Sequence, residues 1–221
     1  MTVILNLETA TTNCSVSLAL DGKLIALREE NYEGYSHSEK LHVFINEALR
    51  EAGIGKEELD AVAVSKGPGS YTGLRIGVAA AKGLCFALEI PLIAIPTLDS
   101  LARQLTIPEE GLLIPMLDAR RMEVYAKVLN TSYKTVKATE AVIIEANSFA
   151  ELAEKSPVYL IGNGAKKCTT VLDHPNFHFQ EELVPSAQEM AGMSYQCYAK
   201  KEFEDLAYFE PYYLKEFILG K

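Results

Sequence analysis

Two turns carry the residues of this chain best suited to chemistry. The first, Glu8-Thr9-Ala10-Thr11-Thr12-Asn13, joins two apolar runs and is rich in hydroxyls. Its Thr9, Thr11 and Thr12 side chains and its amides can donate to an anion such as phosphate, and the same residues fit a solvated hairpin turn equally well. The second, Gly67-Pro68-Gly69-Ser70-Tyr71-Thr72-Gly73, follows the short strand pattern Ala61 to Ser65 and precedes a helical one. Its glycines permit positive φ and close backbone approach, and Gly67, Gly69 and Ser70 join the three threonines as candidate ligand residues. Neither the GxxxxGK[ST] phosphate loop nor GxGxxG is present, so a generic phosphate cradle is not expected.

The helix that starts at Gly73 divides into three faces at a spacing of ~100° per residue. Leu74, Val78, Cys85 and Leu88 form the side expected to face a sheet, and Arg75 and Lys82 a side expected to meet water. Gly73, Ile76, Gly77, Ala80, Gly83 and Ala87 form the third, a smooth face on which another backbone can approach closely. Glycine in a helix costs roughly 1 kcal/mol relative to alanine, so close packing is expected to offset it. Two occupants fit: another protein, or the neighbouring helix Ser36 to Ala52 of this chain.

Other chemistry reads poorly. His37 and His42 are five residues apart and point ~140° apart on a helix, so they do not chelate together. His37 shares the direction of Leu41 and Phe44 and reads as a buried or interface side chain. His174 and His178 have helical metal spacing, but Pro175 and Asn176 make the segment a loop. No serine or cysteine has an identifiable base and orienting acid, so no catalytic residue and no cofactor or metal is expected. Asp118, Arg120 and Arg121 at a later hairpin turn fit either ligand contact or surface ion pairing. Cysteines 14, 85, 168 and 197 are too far apart for a zinc or redox motif and read as core thiols. The aromatic, acidic stretch Tyr208 to Phe217 reads as an arm that packs back or reaches a partner.

The elements that must position these residues follow from periodicity. Runs at 2–7, 14–20 and 23–30 read as a strand meander with Asp21-Gly22 as its hairpin turn. Ser36 to Glu39 offers a capping box. Leu41, Phe44, Ile45, Ala48, Leu49 and Ala52 then form a continuous apolar stripe closed by Gly53. After Ala61 to Ser65 and the glycine-rich helix comes a strand at Leu92 to Ile95. A similar order returns: Leu112 to Asp118, Glu123 to Asn130, Ala141 to Glu145, a helix near Asn147 to Glu154, the strand Val158 to Ile161, and a helix after Gly164. This predicts an α/β fold of duplicated β-β-β-α-β-α units, the plan of the two-lobed actin-like (ASKHA, RNase H-like) superfamily, with lobes 1–107 and 108–221 and a boundary near Pro108. Such a plan does not fix function.

A length of 221 residues with 48% hydrophobic content suits a sizeable core. The longest apolar runs fall far short of the ~20 residues of a membrane span. Met1 leads directly into Val3-Ile4-Leu5, which reads as a first strand and not a signal peptide, so a cytoplasmic protein is expected. Net charge is −9, and the basic doublets Arg120-Arg121, Lys166-Lys167 and Lys200-Lys201 are scattered. Tight nucleic-acid binding by the chain alone is therefore not expected.

GPGSYTGLRIG followed by AAAKGL resembles the signature of the bacterial TsaB (YeaZ) family, and further matches run through ILNLETAT, YSHSEKL, IPTLDSLA, LDARRMEVYA, IGNGAKK and FEPYYLKEF. The resemblance implies a part in making threonylcarbamoyladenosine beside the tRNA anticodon, as a noncatalytic relative of the transferase TsaD. It implies a TsaD-like catalytic subunit and a TsaE-like ATPase as partners, a homodimer through the same helical surface, and only indirect or transient tRNA contact. That surface maps to His37, Leu41, Ile45, Gly73, Ile76, Gly77, Ala80, Gly83 and Ala87. Where TsaD proteins carry two metal-binding histidines, this chain has Thr97 and Leu101, after the strand Leu92 to Ile95; leucine offers no lone pair to a metal. The alternatives are an independent actin-like kinase or ATPase and a degenerate glycoprotease-like peptidase.

Overall fold

A computed structural model describes residues 1–32, 37–108 and 110–215. The chain divides into two compact units, residues 1–100 with 185–221, and residues 101–184.

In the first unit, β1 (Val3–Glu8), β2 (Asn13–Leu20) and β3 (Lys23–Asn31) form the expected antiparallel meander. Asp21 and Gly22 turn it with φ of 48° and 79°, the left-handed pair that an Asp-Gly hairpin turn favours. α1 (His37–Ala52) leads through a short 3-10 turn at Lys56–Glu58 to β4 (Ala61–Gly67), which pairs parallel to β1. α2 (Tyr71–Leu88) and β5 (Leu92–Pro96) complete a sheet of order β3-β2-β1-β4-β5. The expected capping residue Ser36 lies outside the described residues.

β1 is central and buried on both faces, so its residues alternate between two cores. Leu5 and Leu7 pack with Leu41, Ile45, Val78 and Cys85 under α1 and α2. Ile4 packs on the other face with Ala63, Ile93, Ala187 and Met190. Met190 begins α6 (Met190–Lys200), a helix absent from the expected plan. A single cut near Pro108 would assign α6 to the second unit; in the structure the segment from Pro185 covers the otherwise bare face of the first sheet, and apolar burial explains its return.

The short helix α3 (Thr97–Ala102) leads to the second unit. There β6 (Leu112–Asp118), β7 (Glu123–Asn130), β8 (Thr135–Ile143), α4 (Ala150–Ala153), β9 (Val158–Ile161), α5 (Ala165–Cys168) and β10 (Phe177–Gln180) build a sheet of order β10-β9-β6-β7-β8. Both sheets join three antiparallel strands to two parallel ones in the same order, and this is the duplicated actin-like, RNase H-like fold. The third strand of this unit lies earlier than Ala141 to Glu145, and the helices are shorter than their sequence patterns suggested. Ile114, Met116, Val158 and Leu160 pack with Ala165, Cys168 and Phe177 to form its core.

If α6 completes the first core, Met190→Ala should lower the unfolding free energy by about 2–5 kcal/mol, read by urea denaturation. A loss under 0.5 kcal/mol would place α6 outside the cooperative unit.

Candidate functional site

Parallel β1 and β4 end side by side, with antiparallel β2 on the other flank of β1. In open α/β sheets the carboxyl ends at such a point are where ligands collect. Here the two candidate turns meet. Gly67 has φ of 105° and its peptide to Pro68 is cis. A Cβ on Gly67 would lie 2.8 Å from the Tyr212 carbonyl oxygen.

The two turns fill each other. Ser70 caps α2 by accepting from the Gly73 amide at 3.3 Å, and its own amide donates to the Ala10 carbonyl at 2.7 Å. A Cβ on Gly69 would sit 2.5 Å from that oxygen. The Thr9 hydroxyl donates to the Gly73 carbonyl at 2.8 Å. Cβ atoms on Gly73 and Gly77 would fall inside the Thr9 carbonyl oxygen and hydroxyl respectively. The smooth face of α2 is therefore a notch for the Thr9 turn, an occupant that helical angles alone did not suggest.

Each of the six candidate ligand residues is engaged within the chain. Thr11 accepts from the Asn13 amide at 3.3 Å, Thr12 donates to Asn31 at 2.7 Å, and the Gly67 amide donates to the Thr97 hydroxyl at 3.1 Å. His37 is buried, with Nε2 2.7 Å from the Thr11 carbonyl oxygen. Burial pushes its pKa down, against the opposing effect of that hydrogen bond. The ring is thus favoured neutral, with the proton on Nε2.

Sequence reading did not single out Glu8, the last residue of β1 and fully buried. Its Oε1 accepts from the Ala10 amide at 2.6 Å, and its Oε2 has no hydrogen-bond partner. Desolvation pushes this carboxyl up to about 7, against the opposing hydrogen bond from the Ala10 amide. The signal available was a charged residue ending a strand that is apolar but for Asn6.

The expected interface splits in two. His37, Leu41, Ile45, Gly73, Gly77 and Ala80 are buried inside the unit, whereas Ile76 is half-buried and Gly83 and Ala87 are exposed. A Cβ on Gly83 would touch nothing within 4 Å. Exposed Ala79 and Phe86, the latter 79% accessible, share this outer stripe, which their helical spacing would have disclosed.

Arg75 meets water as expected, whereas Lys82 is half-buried and tied down by the C-terminal segment. Lys82 Nζ donates to the Ala207 and Phe209 carbonyls at 3.2 and 3.1 Å, and Arg75 donates to the Tyr213 hydroxyl at 3.3 Å. The Arg75 guanidinium lies 4.1 Å over the Tyr71 ring. Phe209 enters the core, so the described part of the aromatic arm packs back; Glu216 and Phe217 lie outside the described residues.

In the second unit, Asp118 pairs with Lys167 at 2.9 Å and accepts from the Arg120 amide at 2.6 Å. Arg120 and Arg121 hold φ of 69° and 50°, conformations that cost a non-glycine residue about 1–2 kcal/mol each. His174 and His178 do not come together around a metal: His178 stacks on Tyr159 at 4.8 Å, and His174 meets Phe177 edge-on and accepts from the Asn176 amide. Among the described residues no group of three His, Cys, Asp or Glu could hold a metal, and no helix is long and apolar enough to cross a membrane. Burial pushes the thiols of Cys14, Cys85 and Cys168 up to about 11, unfavourable for nucleophiles.

A family model described as TsaD, tRNA N6-adenosine threonylcarbamoyltransferase, matches residues 33–216. The chain is 27% identical to the tRNA threonylcarbamoyladenosine biosynthesis protein TsaB of Escherichia coli, covering 99% of this chain and 96% of that protein. It is 30% identical to TsaB of Buchnera aphidicola, covering 85% and 90% of the two chains. The match to Haemophilus influenzae TsaB is 34% identical, covers 55% of this chain and spans 51% of that relative. Among solved structures, a crystal structure of an uncharacterized protein with similarity to peptidase YEAZ from Pseudomonas aeruginosa superposes with a TM-score of 0.85 at 26% identity, covering 97% and 100% of the chains. YeaZ from Pseudomonas aeruginosa gives 0.81 at 25% identity, with the same coverage.

Two glycines of α2 should respond with opposite signs. Gly77→Ala should cost roughly 2 kcal/mol or more through the Thr9 clash, while Gly83→Ala should gain about 1 kcal/mol from helix propensity, both read by denaturant unfolding. Glu8 gives a pH signature. Its folded pKa is about 7 against 4.5 for the free group, so the folded state binds the extra proton between these values. The stability present below pH 4.5 is then lost as pH rises to 7, by roughly 3 kcal/mol. Glu8→Gln should flatten that part of the stability profile; an unchanged slope would show that Glu8 does not ionise on unfolding.

Proposed function

We propose that this chain, which belongs to the TsaB family of tRNA threonylcarbamoyladenosine biosynthesis proteins, acts as a noncatalytic subunit that supports a TsaD-like transferase and helps recruit a TsaE-like ATPase. The observation that carries this reading is the self-filled turn. The Thr9 hydroxyl, the Ser70 amide and the glycines at positions 69, 73 and 77, which would meet a ligand at the ends of β1 and β4, are spent on the packing of one turn against the other. Thr97 and Leu101 support it further, since the former accepts the Gly67 amide and the latter is wholly buried.

The outer stripe of α2, comprising Ile76, Ala79, Gly83, Phe86 and Ala87, is the surface on which a partner helix or a second copy would pack. Small residues let backbones approach, and Phe86 offers an aromatic anchor. The site of action on this reading is the cytoplasm, with tRNA held mainly by the partner.

Cells depleted of the protein should lose threonylcarbamoyladenosine from their tRNA nucleoside profile. Gly83→Arg and Ala87→Arg, exposed positions that tolerate bulk, should not destabilise the fold, the first even gaining from helix propensity, and should lower affinity for the TsaD-like subunit by tenfold or more in calorimetry. Unaltered affinity would reject this stripe as the interface, and an unaltered nucleoside profile after depletion would reject the reading itself.

A further inference from the structure

The turn between β6 and β7 presents charge where its counterpart in the first unit does not. Glu8 ends β1 and is buried, whereas Asp118 ends β6 and is exposed. Asp118 is held by the Asn163 side chain, which accepts its amide proton at 3.0 Å, and by Lys167 at 2.9 Å. Lys167 also donates to the Arg121 and Glu123 carbonyls at 2.6 and 3.1 Å, fastening the turn from α5.

What the turn displays is Arg120 and Arg121, both exposed and both in left-handed backbone. Glycine or asparagine would hold these conformations with less strain, so the arginines are costly as turn formers. Among the described residues neither guanidinium has a carboxylate partner, because Asp118 is taken by Lys167. Exposed Lys166 follows on α5, beside the lysine that ties the two segments together.

From this we infer that Arg120, Arg121 and Lys166 form a contact surface for the phosphodiester backbone of RNA. In a chain of net charge −9, this locked turn and the start of α5 bring three exposed cations together. Guanidinium forks match phosphate geometry. A protein partner would call for an apolar or aromatic centre, and Met122, 38% exposed, is the single large apolar side chain of the turn that reaches solvent. The surface is small, so it orients RNA that a larger assembly holds. The inference rests on the tRNA-modification reading above.

The test measures fluorescence anisotropy of labelled tRNA with the full chain, alone and with the TsaD-like subunit added, across a salt series. Arg120→Glu with Arg121→Glu should weaken binding about tenfold or more at low salt and reduce the magnitude of the log K against log salt slope by about two. Arg120→Asn with Arg121→Gly relieves the backbone strain. It should raise Tm and still weaken tRNA binding, whereas lysine at both positions should retain most of the affinity. Wild-type affinity and slope in the glutamate and Asn/Gly variants would overturn the inference, as would the absence of RNA binding by the wild type in either form. Loss of TsaD binding with RNA affinity intact would also overturn it, by making the turn a protein contact. The depletion profile separates these outcomes from failure of the reading itself.

Discussion

The seat of the Thr9 turn on α2 is the constraint around which the first unit is arranged. One threonine places its carbonyl oxygen against Gly73 and its hydroxyl against Gly77, and donates to the Gly73 carbonyl. That approach is open only where α2 lacks Cβ atoms, which explains glycines in the middle of a helix despite their propensity cost. With the turn fixed, Ala10 holds the Ser70 amide, Thr11 holds His37 at the start of α1, and Glu8 closes back on Ala10. Both helices on this face of the sheet are thus tied to a single hairpin turn.

The same packing separates two kinds of polar residue. Thr9, Thr11, Ser70 and Thr97 satisfy backbone groups that burial would otherwise leave unpaired, which is ordinary structural duty. Glu8 behaves differently, since complete burial, with Oε2 left without a partner, makes ionisation costly and favours a neutral carboxyl through much of the range below neutrality. The first unit therefore keeps charge out of the place where its sheet could most readily receive an anion or a metal.

Strands with one clear periodicity were legible in the sequence, as were the α1 stripe, its Gly53 terminus with φ of 67°, and the sheet-facing Leu74, Val78 and Cys85 of α2. β8 was misplaced because it is an edge strand with exposed residues of mixed character, from Val136 and Lys137 to Ile143, and so lacks a clean two-residue alternation. α6 was missed because its buried face is made from Met190, Ala191 and Ser194, with no row of large aliphatic residues to mark it. Of the candidate site, the need for close approach on α2 was legible and the identity of what approaches was not. Helical angles describe a face of one element; the neighbour is set by the hairpin that β1 and β2 bring to the same sheet end.

Duplication makes the two units comparable position by position, and the comparison sets a physical limit on their roles. In each, a hairpin turn after the first strand meets a glycine-containing turn after the fourth: Ala10 with Ser70 in one, Asp118 with Asn163 in the other. In the first unit the following helix has 18 residues and glycines that admit the hairpin, so the turn is drawn in and its polar groups are consumed. In the second the following helix has 4 residues. It supplies Lys167, which pins the Asp118 turn by charge and leaves the adjacent arginines facing solvent. One fold plan thus yields a sealed turn and a displayed one, and the difference follows from the length and side chains of the helix that comes after the glycine turn.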